Sequence, residues 1–176
     1  MKAVVVHLIV FCSIFLHAEV SAQTILSGAG RVNMEGAIID TACDIVVGSR
    51  EQEIDVGQVR LVDIIRDGKG RSRNFSIELV NCVPWRSNKI EWKKFRIIFE
   101  GDAEEHLFGV LGEASGVGLQ ILAPQGYAVI PGLPLPIDKI NPGNMKANYT
   151  LQLVANNKPL KGGFFSSSIR FILDYF

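Results

Sequence analysis

Little in this sequence is equipped for acid–base or metal chemistry. Of its three histidines, His7 and His17 lie in or beside an apolar leading segment, which leaves His106 in the charged stretch Asp102-Ala103-Glu104-Glu105-His106. Adjacent residues of an extended chain point to opposite faces, so Glu105 and His106 would not converge on one ion. Neither G-x-S-x-G, H-E-x-x-H, a P-loop nor G-x-G-x-x-G occurs. Net charge is also missing: 18 basic and 18 acidic residues cancel, so no long-range field draws the chain to nucleic acid or an anionic membrane. These absences disfavour an enzyme and leave no residues that call for a cofactor, a metal or a small-molecule substrate.

Cysteine is scarce as well. Cys12 falls in the leading segment, and the remaining pair, Cys43 and Cys82, forms no C-x-x-C and no zinc-like spacing. An even count in an exported chain favours one disulfide, whose closure of a loop of about 40 residues is worth roughly 4 kcal/mol by chain-entropy accounting. Two buried free thiols are the other reading. Export itself is expected from Lys2, the apolar run from Ala3 to Leu16 and the small-residue site Val20-Ser21-Ala22, which fit a secretory signal over residues 1–22 with cleavage before Gln23. That run is short for a membrane span, the competing reading.

What the sequence does contain is a series of short alternating runs separated by turn residues. Val32, Met34, Gly36 and Ile38 alternate; so do Phe75, Ile77 and Leu79 ahead of Asn81-Cys82. Lys94 to Phe99, Val117 to Leu122 and Tyr149 to Val154 add further apolar segments bounded by Gly, Pro and Asn. Enrichment in β-branched and aromatic residues at this spacing predicts an all-β, immunoglobulin-like sandwich, with no sustained helical period to compete. Gly132 to Asn144, with Pro134, Pro136 and Pro142, must be loop or sheet edge because proline removes amide donors. Arg66, Lys69, Arg71 and Arg73, sharing their stretch with Gly68 and Gly70, read as a solvated loop tip.

The two ends are unusual. Phe165, Ile169, Phe171, Leu173 and Tyr175 share one parity of the final segment, opposite Ser166, Ser168, Arg170 and Asp174, which is the pattern of a half-buried strand. A strand so apolar at a terminus needs a cover, either from its own domain or from another chain. Near the other end, Thr24, Leu26, Gly28, Gly30 and Val32 form a face of small and apolar groups. Glycines weaken an isolated strand but permit close backbone approach in a narrow groove; a disordered N-terminus is the alternative.

Taken in order, Thr24 to Val32, Gly36 with Thr41-Ala42-Cys43, Asp55-Val56-Gly57-Gln58-Val59, Phe75 to Leu79 leading into Asn81-Cys82, Gly118-Leu119-Gln120-Ile121 and the final strand resemble the pilin subunits of chaperone-usher fimbriae, the type 1 and P pilus group. Gly163, fourteenth from the end, and Tyr175, the penultimate residue, match that family's terminal motif. The resemblance covers the whole chain after residue 22.

It implies an incomplete immunoglobulin-like sandwich over residues 34–176 that lacks its last strand and carries one disulfide. It also implies an N-terminal donor-strand extension over residues 23–33, with Leu26, Gly28, Gly30 and Val32 as donor residues. A periplasmic chaperone would pair with the C-terminal strand, along Gly163, Phe165, Ile169, Phe171, Leu173, Tyr175 and Phe176. In the fibre, the extension of the next subunit would replace the chaperone by strand addition. Expected partners are therefore the chaperone, an outer-membrane usher and neighbouring pilins, at the cell surface after passage through the periplasm. Trp85, Trp92 and the abundant Ile and Leu resemble a minor subunit, and Tyr149 to Phe176 resembles the subunit that ends growth. The alternative from another class is a secreted immunoglobulin-like module that binds a glycan or protein through Arg66 to Arg73 or Lys89 to Arg96.

Overall fold

The computed structural model describes residues 31–38, 41–85 and 92–176. The chain divides into a leading unit that ends at Ile38 and a body from Ile39 onward. In the leading unit, residues 31–38 belong to no strand. The alternation of Val32, Met34 and Ile38 therefore meets no ladder there, and all three side chains are almost fully exposed, at 87%, 91% and 105%.

The body is built on a seven-stranded antiparallel sheet. Its path runs from β1 (Asp44–Ile45) through β2 (Arg73–Cys82), β10 (Gly143–Ala155), β7 (Val117–Leu122) and β5 (Leu107–Phe108) to β4 (Ala103–Glu104), with β8 (Ala128–Val129) also beside β7. A second, three-stranded sheet orders β12 (Arg170–Tyr175), β3 (Lys94–Glu100) and β9 (Asp138–Lys139). A short ladder joins β6 (Leu111–Gly112) to β11 (Phe165–Ser166).

Period-two alternation decides which faces meet. In β3, Phe95, Ile97 and Phe99 are buried while Arg96, Ile98 and Glu100 face outward. Ile77 and Leu79 of β2 and Tyr149, Leu151 and Leu153 of β10 supply the opposing layer. Aromatic contacts hold the two layers together: the Phe99 ring meets Tyr149 edge-on at 5.1 Å and Phe75 at 6.4 Å, and Phe75 stacks on Tyr149 at 5.3 Å. Edge-on and offset pairs of this kind add about 0.5–1.5 kcal/mol each beyond the area they bury. Cys43 and Cys82 form a disulfide that fixes the start of β1 to the end of β2.

Two short helices, α1 (Val47–Arg50) and α2 (Leu61–Asp67), depart from the helix-free expectation. The second is fixed by one buried side chain, Ile64, and by Gly68, which takes a left-handed conformation (φ 70°) and donates its N–H to the Ile64 carbonyl at 2.9 Å. Seven residues with a single buried anchor carry too little periodicity to be seen in sequence. The basic residues read as one loop tip are divided: Arg66 lies in this helix, Lys69 bridges Val154, Arg73 opens β2, and Arg71 lies in the connection between them. The proline-rich stretch is mostly loop, touching β3 through the Leu135 amide on the Ile97 carbonyl at 2.8 Å.

The terminal segment is not one continuous strand. It breaks at Ser167, Ser168 and Ile169, because β11 pairs with β6 whereas β12 pairs with β3. The Ser167 hydroxyl occupies the break by donating to the Gly109 carbonyl at 2.7 Å.

Candidate functional site: a groove along the last strand

Phe176 and Lys94 exchange both backbone hydrogen bonds, each at 3.0 Å. That pair sets the phase of the whole β12–β3 ladder, since bonded and non-bonded pairs alternate along antiparallel strands. Asp174, Ile172 and Arg170, opposite Arg96, Ile98 and Glu100, therefore direct their amides toward β3. Phe171, Leu173 and Tyr175 direct theirs away. β12 is an outer strand of its sheet, so among the described residues no strand takes those N–H and C=O groups. The side chains of the same three residues pack toward the core. One parity thus carries both the open backbone edge and the apolar face.

Beside that edge lies a groove of about 670 Å³. Its floor is Phe75, Phe99, Leu119, Ile121 and Leu151, and one wall is Phe165, Ile169 and Phe171. The other wall is Ile45, Ile54 and Val56 with the polar groups of Ser49, Arg50, Gln52, Glu53 and Asp55. This second wall is anchored to β2 by side chains: the Glu78 amide donates to the Ser49 hydroxyl at 3.0 Å, and Gln52 Nε2 donates to the Ser76 carbonyl at 3.0 Å. Arg73 Nε donates to the Asp55 carbonyl at 3.1 Å. Bonded to β2 in this way, it makes no ladder with β12, and the groove stays open.

At its far end the inner face is filled. Leu173 and Tyr175 do not line the groove; Tyr175 packs at 6.3 Å from the Phe95 ring and 6.4 Å from Trp92. Burial, with the Asp44 charge as a smaller cause, pushes the Tyr175 pKa up. Its hydroxyl lies beside the Cys43 backbone without a hydrogen bond of acceptable geometry. Phe176 ends the chain partly exposed, with the Arg96 guanidinium 5.5 Å from its ring.

Of the residues singled out from sequence, Phe165, Ile169 and Phe171 come together on one wall. Leu173 and Tyr175 follow on the same parity, and Gly163 lies against Glu113. Leu26, Gly28 and Gly30 lie outside the described residues, and Val32 is exposed. The basic stretches form no shared site: Arg66 pairs with Asp63 and Asp67, Arg96 pairs with Asp174 at 2.7 Å, and Lys89 lies outside the described residues. No cluster of three or more His, Cys, Asp or Glu fit to hold a metal ion exists among the described residues. Sequence reading singled out Asp55 and Val56 in the run Asp55 to Val59 but missed the polar residues Ser49, Arg50, Gln52 and Glu53 of this wall, which are held by bonds to distant backbone or stand at the surface.

An open apolar groove beside an unpaired backbone edge can accept an extended chain. No family model matches the sequence. The PRS fimbrial minor pilin protein of Escherichia coli is 29% identical over 150 residues, 83% of this chain and 77% of that one. The S-fimbrial protein subunit SfaA of Escherichia coli O6:K15:H31 is 31% identical over 138 residues, 73% of this chain and 74% of that one. In fold, the P pilus rod subunit PapA superposes with a TM-score of 0.69 at 21% identity, over 77% of this chain and 99% of that one. The fold is one shared with a pilus subunit. The chain belongs to the family of fimbrial pilin subunits, which are exported and assembled with other subunits into a pilus at the cell surface.

Proposed function

We propose that this chain is a minor subunit of a chaperone-usher fimbria and is built into the fibre by donor-strand exchange. On this reading residues 1–22 are the export signal, residues 23–33 are the donor strand, and residues 34–176 are the pilin body with its acceptor groove. The observation that carries it is the coincidence, on Phe171, Leu173 and Tyr175, of an open backbone edge with an inward apolar face next to the groove. An incoming strand with Leu26, Gly28, Gly30 and Val32 on one side has the matching alternation, and its glycines suit the narrow gap between the walls. A periplasmic chaperone would occupy the same edge before assembly, and an outer-membrane usher would then exchange it for the next subunit. The relatives named as minor pilins support the minor role.

A peptide of residues 23–33 added to the chaperone-bound subunit tests this reading. Displacement of the chaperone, abolished by Gly30→Leu in the peptide, is the expected result. A second reading, a subunit that ends growth, is favoured by the end at Tyr175, whose ring packs beside Trp92 and Phe95 instead of lining the groove. Binding of the chaperone together with refusal of every donor peptide would select it.

A further inference from the structure

The three-stranded sheet has two outer edges, and they are finished differently. On the β12 side the amides of Phe171, Leu173 and Tyr175 stand open. On the other side a strap, residues 130–137, runs along β3 ahead of β9, and Pro134 bridges Ile98. Leu135 donates its amide to the Ile97 carbonyl and Gly132 to the Phe99 carbonyl, each at 2.8 Å. Amides alternate in direction along an extended chain, so with Leu135 facing β3 the nitrogens of residues 134 and 136 face outward. Both outward positions are proline. Leu133 uses its amide within the strap, on the Ile130 carbonyl at 3.1 Å, and Pro131 has none. From residue 131 to residue 136, then, no N–H is left for an approaching strand. Beyond the strap Ile140 donates to the Lys93 carbonyl at 3.1 Å, which turns the Lys139 amide outward beneath a charged side chain.

Nothing in the bonding to β3 calls for two prolines there. A residue with an amide would fit either position, since its N–H would point to solvent. What the prolines remove is a template: unpaired donors along a sheet edge invite another strand, and proline or lysine on the edge deters it. Apolar side chains stand beside this edge, with Leu133 and Ile137 53% and 54% exposed, so a strand that paired here would also gain cover for them. We propose that Pro134 and Pro136 close this edge to strand addition, so that the sheet takes a partner strand on the β12 side alone and the fibre extends without side branches. The unbranched fibre rests on the donor-strand reading; the closed edge rests on the backbone bonding of the strap.

The test uses the full subunit, held by its chaperone or loaded with the peptide of residues 23–33 so that the β12 edge is occupied. Pro134→Thr together with Pro136→Thr restores both outward donors. Sedimentation against concentration reads self-association, and hydrogen exchange reads the two new amides. The double variant should self-associate about thirtyfold more tightly than the unaltered subunit, the effect of two hydrogen bonds of ordinary net strength, with both new amides protected in the associated form. Pro131→Ala loosens the Ile130–Leu133 turn that holds the strap but lies outside its extended part, and should keep the mass of the unaltered subunit. A double variant that stays monomeric at every concentration, with both amides exchanging freely, would overturn the closure. Association matched by Pro131→Ala would overturn it too, since a loosened strap would then be the cause. Should the double variant fail to fold, each single variant is read the same way, with about fivefold expected. Failure of the peptide to displace the chaperone would remove the donor reading, while the chaperone-bound subunit would still report on the edge.

Discussion

A side-chain carbon at Gly163 would stand 2.5 Å from Cβ of Glu113 and 2.9 Å from its carbonyl carbon. The glycine is therefore demanded by the close approach of the chain to the segment after β6. The residue before it, Gly162, has open space around it.

Gly163→Ala should destabilise the folded subunit by about 1–3 kcal/mol, the usual cost of forcing a carbon into filled space. Gly162→Ala should change stability little. Urea unfolding of the two variants, each loaded with a donor peptide, checks the contrast; equal midpoints would contradict it.

Leu173 and Ile172 are neighbours with opposite backbone duties. Ile172 bonds to Ile98, while the Leu173 amide faces the open edge. Leu173→Pro should leave the fold largely intact yet weaken donor-peptide binding markedly, because proline on a free edge removes a donor that only the incoming strand uses. Ile172→Pro should break the ladder with β3 and cost about 3 kcal/mol or more. Circular dichroism together with peptide affinity separates the two outcomes.

The Tyr175 hydroxyl is buried without a well-formed hydrogen bond. Tyr175→Phe should therefore leave stability unchanged or raise it by up to about 1 kcal/mol, whereas Tyr175→Ala should lose several. The pKa is raised above its ordinary 10.0, so the folded state holds the proton more firmly than the unfolded chain. Stability from this group is present below pH 10 and falls as pH rises past it. The Phe variant should show a shallower alkaline decline in thermal melts.

Lys158 donates to the Glu104 carboxylate and, as the main cause, holds its pKa below 4.5. A depressed acid contributes stability above its unfolded value and loses it as pH falls through the folded one. Lys158→Met should flatten the acid limb of the stability curve below about pH 4.5 without shifting the plateau at neutral pH by more than an exposed ion pair is worth, roughly 1 kcal/mol or less. Melting curves between pH 3 and 7 read this directly.

Replacing Cys43 and Cys82 with serine should remove about 4 kcal/mol, the loop-closure contribution of a bridge spanning about 40 residues. Reduced recovery of soluble, chaperone-bound subunit, together with a lower melting point, would register the loss; unchanged recovery and melting would count against a stabilising role.

The strands most legible in sequence were those whose alternation is strict. Phe75 to Val80 and Lys94 to Phe99 fall in strands with one face more buried than the other; Val117 to Leu122 and Tyr149 to Val154 fall in strands too, with Gly118 and Gln152 of the opposite parity buried as well. Residues 32–38 alternate just as clearly and yet join no ladder. Alternation reports that a segment could pair, and only a neighbour supplies the partner. α2 and the polar residues Ser49 and Gln52 escaped notice for the converse reason: Ile64 is a single anchor, and Ser49 and Gln52 are fixed by bonds to distant backbone on β2.

The sequence by itself determined an all-β body with two cysteines and an apolar final segment on one parity that needs a cover, from its own domain or from another chain. Those are local properties, written in the order of side chains along each run. Only the tertiary structure decided that the final segment breaks at Ser167 to Ile169, that the amides of Phe171, Leu173 and Tyr175 face the open edge, and that the wall from Ser49 to Asp55 stands back to leave a groove. Each depends on which distant strand a residue meets and in what register. That is a property of pairing, and no single run of residues contains it.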